Sequence, residues 1–255
     1  MSFNGNKSIV EVTIPDKCRA FHSNSSTFQD CNNLRRIYNI HKDFDPTPFL
    51  TGDDFCFTKL DYVDVDRDNP YIDSRRNANA IIDTSAGILK IGTNHTIIPG
   101  DVSVIGYCAF QGRLNTDGIE IPHSIKYLGI SAFSCNSGLT HVTIPSSCTS
   151  TGGNVFSDCT SLTSVTIEDG ANMGRRSFNR SGLTGHLDIP GSVTVIGSEF
   201  VRETNLTSIK VHEGTTTLVY GAFIYISSII DTIDLPSTIT EIGVTDPTLP
   251  GYTTS

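Results

Sequence analysis

Apolar residues recur along this chain in a short frame, L-x-x-V-x-I, whose intervening positions are polar. The frame is complete at 139–144, and it returns at 162–167 and at 206–211. Alternation of apolar and polar residues over so short a piece is typical of a β-strand with one buried face. A unit this thin has one apolar edge and can bury it only against copies of itself. The pattern therefore predicts a solenoid, in which each coil adds a short strand to a parallel sheet.

Two further columns of residues keep step with this frame at intervals of 22 to 24 positions. One column is mostly proline and marks the end of each strand, because proline has no N–H to donate to a neighbouring strand. Its members are Pro99, Pro122, Pro145, Glu168, Pro190, His212 and Pro236. The other column is aromatic and consists of Phe110, Phe133, Phe156, Phe178, Phe200 and Phe223. We expect each of these phenylalanines to be buried at a turn of its own coil.

The frame covers most of the chain, so we predict one β-rich solenoid over 1–255. It comprises N-terminal coils in 1–65 with an irregular loop near 41–57, regular 22–24-residue repeats in 99–243, and a C-terminal end segment in 244–255. Residues 66–98 depart from the repeat. Two apolar runs there, 80–82 and 88–91, flank a segment that contains Gly87, which predicts a β-hairpin insert projecting from one coil.

Composition narrows the range of functions. The formal net charge is −9 and the pI is near 5.1. An acidic chain without a basic stripe repels phosphate backbones, so we expect no nucleic-acid partner. No apolar run approaches the roughly 18 residues of a membrane span, so we expect no membrane insertion. The first residues, MSFNGNKSIVEV, show no secretory signal peptide.

The positions of the seven cysteines fit the repeat better than they fit disulfide pairing. Cys18 and Cys148 occupy a slot that holds Val or Ile in other coils, and we expect both to be buried. Cys31, Cys135 and Cys159 each follow a phenylalanine closely. Cys56 and Cys108 lie outside the repeat and are expected to be buried thiols. We therefore predict neither a disulfide framework nor a zinc site.

Other chemistry finds little support in the sequence. His141 and His186 lie two coils apart, about 10 Å at the strand spacing, which is too far for ligands of one ion. An EF-hand loop that included the acidic stretch 61–68 would need Gly and Glu at the positions of Asn69 and Arg75. A looser calcium site is left open. No catalytic motif such as G-x-S-x-G or H-E-x-x-H is present. We predict no cofactor, no metal and no enzymatic activity.

A binding surface would use the outward positions of the strand frame. The outward positions are Arg35, Arg36, Asp61, Tyr62, Asp64, Glu120, His141, Thr143, Ser164, Thr166, Asp188, Ser208, Lys210 and Asp234. From this row we select the candidate contacts Arg35, Arg36, Tyr62, Asp64, Glu120, His141, Asp188 and Lys210. Tyr62, Arg35 and Arg36 are favoured, because binding hot spots are rich in Tyr and Arg. The alternative is that hydroxyl and β-branched residues stand here because they suit a solvated sheet.

Two segments, IPGSVTVIGSEF at 189–200 and SLTSVTIEDG at 161–170, resemble the BspA-like leucine-rich repeat. The Ala-Phe pairs at 109–110, 132–133 and 222–223 match that family's A-F pair, and the insert is similar to the hairpin its members place between coils. The resemblance implies a right-handed leucine-rich-repeat coil stack with short parallel strands and short turns or 3₁₀ pieces. It also implies surface-exposed adhesion proteins of bacteria and some protists; similar repeats occur in phage-encoded proteins.

The first hypothesis is thus a non-enzymatic recognition and adhesion module that binds a protein or glycan of a host or neighbouring cell through the solenoid sheet. The alternative is a structural virion protein, a fibre or decoration subunit that acts mainly through self-assembly. Either function places the chain outside the cell, at the cell surface or on the virion surface. A homo-oligomer or larger assembly is left open.

Overall fold

The chain folds as a β-solenoid, as the repeat pattern predicts. The structure is a computed structural model, and it describes residues 3–21, 26–45, 51–226 and 230–245. Its strands in chain order are β1 (Glu11–Thr13), β2 (Arg36–Ile40), β3 (Tyr62–Val65), β4 (Ile72–Asp73), β5 (Ala80–Asp83), β6 (Ile88–Gly92), β7 (Val104–Ile105), β8 (Tyr127–Leu128), β9 (His141–Ile144), β10 (Ser150–Thr151), β11 (Ser164–Ile167), β12 (Thr184–Ile189), β13 (Val195–Ile196), β14 (Asn205–Val211), β15 (Thr217–Val219), β16 (Thr232–Asp234) and β17 (Glu241–Val244). Short 3₁₀ helices span Gly52–Phe55 and Arg75–Asn77. In the part described, no helix has the length and apolar character that crossing a membrane requires.

The strands that carry the L-x-x-V-x-I frame form one side of the solenoid, which we call the strand face. They pair in parallel in three groups, β1–β2–β3, β9–β11 and β12–β14–β16. The register brings equivalent residues together, and Val142 lies beside Val165. Residues 94–99 and 118–122, which lie between β3 and β9 in the stack, form no strand. The strand face is therefore interrupted at that point.

Each coil then returns along a second, shorter set of strands. These strands pair in parallel as β6–β7–β8–β10 and as β13–β15–β17. The two sets enclose a core of apolar side chains from every regular repeat, including Leu139, Ile144 and Leu162, all with no exposed surface. The thin coil is thus filled by residues of the repeat frame, as the sequence predicts.

The predicted hairpin exists, but the prediction that it projects from its coil is wrong. Strands β5 and β6 pair antiparallel, with Ile81 beside Ile91. All four residues of β5 are buried, and β6 pairs in parallel with β7, so the hairpin begins the second set of strands and does not project. Ile81 packs in a separate N-terminal core, whereas Ile82 packs in the core of the regular repeats. The hairpin is held inside because β5 is apolar on both of its faces.

The phenylalanine column forms the third side of the stack. Phe110, Phe133, Phe156, Phe178 and Phe200 have no exposed surface, and Phe223 is half-buried. The rings of the first four stack in succession, with centroids 5.0, 5.2 and 5.8 Å apart. A backbone ladder joins the same turns, since the N–H of each phenylalanine from Phe110 to Phe200 donates to a carbonyl of the next coil. The predicted burial is confirmed for the phenylalanines from Phe110 to Phe200 and is only partial for Phe223.

The column continues past the hairpin into the N-terminal coils. The rings of Phe28 and Phe55 stack with centroids 5.3 Å apart. The turn that carries Phe55 lies directly against the turn that carries Phe110, because Phe57 N–H donates to the Gln111 carbonyl at 3.2 Å. We call the contact between turns 52–57 and 107–113 the junction. Of the irregular segments predicted from the sequence, 46–50 and 246–255 lie outside the described residues.

Candidate functional site

The strand face presents its polar positions to solvent. In β9, Val142 and Ile144 are buried while His141 and Thr143 are exposed, as alternation along a strand requires. Among the candidate contacts, Arg35 is half-buried, and the others are exposed: Arg36, Tyr62, Asp64, Glu120, His141, Asp188 and Lys210. Seven of the eight candidates are thus exposed, as the strand frame predicts. Their role in binding stays a prediction.

Four of the candidates, Arg35, Arg36, Tyr62 and Asp64, come together on β2, β3 and the residue before β2. The register places Arg36 between Glu11 and Tyr62, and Arg36 Nη1 lies 2.5 Å from Glu11 Oε1. That hydrogen bond raises the pKa of the Arg36 guanidinium. Arg35 Nη1 lies 3.4 Å from Asp61 Oδ2. Both cations are held in place beside an exposed tyrosine.

Tyr38 belongs to the same group, although the sequence analysis did not select it. Its ring centroid lies 5.9 Å from that of Tyr62. Tyr38 follows Ile37 as Thr143 follows Val142, so the outward position between two frame residues would have identified it. We call Arg35, Arg36, Tyr38, Tyr62 and Asp64 the aromatic patch. An aromatic pair flanked by arginines offers apolar area, cation–π capacity and hydrogen-bond donors in one place.

Glu120 and His141 lie apart from the aromatic patch, where the strand face is interrupted. Two cavities of about 460 and 490 Å³ meet there and share Gly118, Ile119, Glu120 and Pro122 in their walls. The His141 ring packs over Gly118, where an added Cβ would stand 3.0 Å from ring atoms. Ile97, on the rim of the first cavity, is 72% exposed. The interruption therefore forms a shallow groove with an apolar rim and a central carboxylate.

Asp188 and Lys210 lie on adjacent strands nearer the C-terminus, in register with each other. Asp188 accepts from His212 Nε2 at 2.8 Å and lies 3.3 Å from His186 Nε2. The hydrogen bond from His212 lowers the pKa of the Asp188 carboxyl, against a smaller opposing effect of burial. The group is exposed, with 60% of the Asp188 side chain accessible. It is a preorganised polar spot that a cationic or hydrogen-bonding partner could use.

Ser208 extends this group, because its Oγ lies 2.7 Å from His186 Nδ1. The order Ser208–His186–Asp188 matches that of a nucleophile, a base and its orienting carboxylate. The strand that carries Ser208 is paired on both sides, with β12 and with β16, so its N–H groups are engaged in the sheet. The paired backbone of residues 208–210 therefore leaves no N–H group of that segment free to act as an oxyanion donor.

The junction contains the most buried charged side chain of the described residues, which the sequence pattern did not indicate. Arg113 is 1% exposed and donates to three backbone carbonyls: to Phe55 at 2.9 Å, to Gly52 at 2.6 Å and to Ala109. Burial lowers the pKa of its guanidinium to about 10, so it is charged at neutral pH. No periodic signal in the sequence distinguishes this arginine from a surface residue.

The two cysteines outside the repeat meet beside Arg113. Cys56 and Cys108 are buried as predicted. Their two sulfurs and a carboxylate oxygen of Asp53 all lie within 4.8 Å of one another. The hydrogen bond with Cys56, together with burial, raises the pKa of the Cys108 thiol. The proximity of Cys108, together with burial, raises the pKa of the neighbouring Tyr107 hydroxyl. We call Asp53, Cys56 and Cys108 the thiol cluster.

The remaining cysteines follow the repeat with one correction. Cys148 and Cys159 have no exposed surface, and burial raises the pKa of their thiols to about 11 and about 12. Cys18 was predicted to be buried like Cys148, but it is half-buried. Its coil stands near the end of the stack, where fewer neighbours cover the slot. All seven cysteines are free thiols in this structure.

The acidic stretch at 61–68 does not assemble a calcium site. Within the described residues, the thiol cluster is the one group of three or more close metal-ligating side chains. Asp61 lies 3.4 Å from Arg35, and Asp66 accepts from the N–H of Asp68 at 2.9 Å, so these carboxylates serve an ion pair and a turn. The loose calcium site that the sequence left open is not supported.

Comparison with known proteins identifies the type of repeat. A family model described as BspA type leucine rich repeat region matches in six copies, over residues 1–75, 90–201 and 171–245. Among curated protein sequences, none matches the chain.

Solved structures share the fold at low sequence identity. A leucine-rich repeat protein from Eubacterium ventriosum is 13% identical, with a TM-score of 0.58; the alignment covers 96% of this chain and 86% of that one. The pneumococcal vaccine antigen PcpA is 16% identical, with a TM-score of 0.53, over 92% of this chain. The chain spans 56% of the length of that antigen. These likenesses establish a leucine-rich-repeat solenoid.

Proposed function

We propose, from the premise that this chain belongs to the BspA-type leucine-rich repeat family, that it is a recognition module whose strand face binds a protein. The observation that carries the proposal is the aromatic patch. Tyr62 is 43% exposed, its ring lies near Tyr38, and two arginines held by carboxylates flank the pair. Solvent-facing aromatic and arginine side chains on a preformed surface have the composition of a binding hot spot.

The rigidity of this surface supports the same function. The side chains of the patch stand on paired strands, with β2 bonded to β1 on one side and to β3 on the other. Binding to such a surface costs little backbone entropy, because the contact residues are already ordered by the stack. A glycan is the second ligand class, since tyrosine faces and hydroxyl-rich strands can also pack against sugar rings.

A location outside the cell is part of the proposal. BspA-type repeats, through the resemblance already described, imply adhesion to host matrix proteins or to other cells. The pneumococcal relative is described as a vaccine antigen. We therefore propose a host or neighbouring-cell surface protein as the partner. No feature of the described residues favours the alternative of a structural virion subunit.

The test is binding of the purified chain to immobilised fibronectin, fibrinogen, laminin and collagen, and to a glycan array. The variant pair Arg36→Ala and Tyr62→Ala removes one cation and one ring from the aromatic patch. Each substitution is expected to weaken binding about tenfold or more, equivalent to about 1.4 kcal/mol. Binding of the wild-type chain and of each variant is measured by interferometry at equal protein concentration.

The matched control lies away from the strand face. Lys126 is exposed beside β8, and Tyr220, which follows β15, is 72% exposed. Lys126→Ala and Tyr220→Ala remove the same kinds of group and are expected to leave binding unchanged. If the control pair weakens binding as much as the patch pair, or if no probe binds the wild-type chain, recognition through the strand face is wrong.

A further inference from the structure

The thiol cluster lies where two turns from distant parts of the sequence meet. Gly52 N–H donates to the Tyr107 carbonyl at 3.1 Å, and Phe57 N–H donates to the Gln111 carbonyl at 3.2 Å. These bonds bracket Cys56 on one turn and Cys108 on the other. The approach is close, because a Cβ on Gly52 would stand 2.2 Å from the Cys108 carbonyl carbon. The backbone therefore fixes the positions from which both thiols project.

Oxygen and sulfur acceptors crowd this point. Cys56 Sγ lies 2.8 Å from Gln111 Oε1, 3.4 Å from the Gly52 carbonyl and 3.7 Å from Asp53 Oδ1. One thiol has one hydrogen and can satisfy only one of these acceptors. Arg113 also donates to the Gly52 carbonyl, so the distinctive feature is the convergence of Gln111 Oε1 and Asp53 Oδ1 on one buried sulfur.

We propose that Asp53, Cys56 and Cys108 form a zinc-binding site. Zinc prefers thiolate and carboxylate ligands in a tetrahedral arrangement, with bond lengths that place ligand atoms about 3.6–3.8 Å apart. The three ligand atoms already lie within 4.8 Å of one another, so small side-chain rotations close the site. Gln111 Oε1 borders the cluster and, like a water molecule, can supply the fourth ligand.

The charge of the junction suits this ion. On binding, each thiol loses a proton to solvent, and two thiolates with one carboxylate give the zinc centre a net charge of −1. The buried guanidinium of Arg113, whose donors are engaged by neutral backbone carbonyls, supplies the opposite charge nearby. A soft divalent ion with thiolate ligands is selected over calcium or magnesium, which require oxygen ligands.

A site at this position would act as a clasp between the two turns. Asp53 and Cys56 belong to the turn of the N-terminal coils, and Cys108 belongs to the first regular repeat. A ligand that binds the folded state alone stabilises it by mass action. Zinc is therefore expected to raise the melting temperature of the chain in a concentration-dependent way.

The experiment uses the full chain, purified with a phosphine reductant and freed of metal by a chelator. Zinc stoichiometry is measured by elemental analysis after dialysis, and affinity by competition with a chromogenic chelator. Cobalt provides a spectroscopic probe, since thiolate ligation gives charge-transfer absorption in the near ultraviolet. We expect one ion per chain, and a cobalt spectrum that shows two thiolates.

Variants locate the ion. Cys56→Ser and Cys108→Ser are each expected to weaken zinc binding by about 100-fold or more, and Asp53→Asn, at a half-buried position, by about 10-fold or more. The matched control is Cys148→Ser, a buried cysteine outside the cluster, which should bind zinc as the wild type does. The double variant His186→Ala/His212→Ala removes the exposed histidine pair beside Asp188 as a competing site and should leave the affinity for zinc unchanged.

Three results would overturn the proposal. The first is the absence of stoichiometric zinc in the reduced wild-type chain. The second is zinc that is lost in the histidine double variant and retained in Cys108→Ser. The third is a mass lower by two hydrogens and a Cys56–Cys108 peptide in the unreduced chain, together with no metal uptake after reduction, which would assign the pair to a disulfide. Asp53→Asn keeps the test valid if the serine variants fail to fold.

Discussion

Neighbouring coils are held together differently in the regular repeats and at the junction. From Phe110 to Phe200, each coil offers its neighbour a copy of itself, with the same buried ring and the same backbone ladder. At the junction, a coil from the N-terminal region meets the first regular repeat across the inserted hairpin. Two backbone hydrogen bonds cross that contact, and one buried arginine and two buried thiols are added to them.

The difference shows what repetition provides. Where identical units stack, the interface is set by periodic apolar residues, and stability is close to a sum of equal nearest-neighbour contributions. Where unlike turns meet, one particular side chain, that of Arg113, links carbonyl groups of both turns. The regular repeats should therefore tolerate loss of one contact better than the junction does.

Removal of the junction's arginine should have the largest effect. Arg113→Met places an apolar side chain of comparable length there and removes the charged donor that the carbonyls of Gly52, Phe55 and Ala109 share. The Phe55 carbonyl keeps its bonds from Thr58, and the Ala109 carbonyl keeps the Gly92 N–H. Hydrogen bonds to charged groups contribute about 1.5–3 kcal/mol each, so loss of these three should lower the free energy of unfolding by about 4–6 kcal/mol. Urea unfolding followed by circular dichroism measures it.

The control for this substitution is Arg180→Met, whose side chain is 55% exposed. It should change the unfolding free energy by less than about 0.5 kcal/mol. Equal midpoints for Arg113→Met and the wild type would show that the junction does not depend on these three hydrogen bonds.

Truncation within the regular repeats should have the next largest effect. Phe156→Ala removes a ring with no exposed surface that stacks on both neighbours, and it should cost about 3–5 kcal/mol. Phe223→Ala, in a half-buried position near the C-terminal end, should cost clearly less. Urea midpoints of the two variants are compared. A cost for Phe223→Ala that matches that for Phe156→Ala would contradict the dependence on burial.

The repeat frame was readable in the sequence because one rule governs many positions. The strand frame, the proline column and the phenylalanine column each specify a location in the coil, and the buried rings confirm that reading. Arg113 was not readable, since its partners are backbone carbonyls on a turn far away in the sequence. The position of the hairpin was misjudged although Ala80, Ile81 and Ile82 form a continuous apolar run, which indicates burial on both faces.

The candidate site was only partly predictable for a similar reason. Exposure of the outward positions follows from alternation, and most of them are exposed, with Arg35, Asp61 and Ser208 half-buried. Which outward side chains lie next to each other depends on the strand register, which pairs His186 with Ser208 and brings His212 to Asp188. These separations equal one repeat, so the groups follow from the sequence once the repeat length is used as a contact rule. The groove at Glu120 could not be predicted, because 118–122 carries the frame but forms no strand.

The packing of the hairpin against the column gives a smaller effect. Gly92 lies at the end of β6, where a Cβ would stand 1.9 Å from the Phe110 ring. Gly92→Ala should therefore overpack the core and cost about 1–3 kcal/mol in the free energy of unfolding. The control is Gly100→Ala, since a Cβ at Gly100 meets no atom within 4 Å. Equal urea midpoints for the two variants would mean that the ring moves aside freely.

The smallest expected effect concerns the turn of the hairpin and depends on pH. Burial raises the pKa of the Asp83 carboxyl, but the Ala86 N–H and the Ser85 hydroxyl lower it by more, so it lies below the ordinary 3.8. Because the folded-state pKa is depressed, the stabilisation is complete above pH 3.8 and is lost as pH falls through the folded value.

Asp83→Asn should cost about 1 kcal/mol at neutral pH, since the charge-assisted bonds are weakened. The difference in urea midpoint from the wild type should shrink toward about pH 3, whereas exposed Asp231→Asn should match the wild type at both pH values. A difference that persists unchanged at low pH would mean that shape, and not charge, holds this turn.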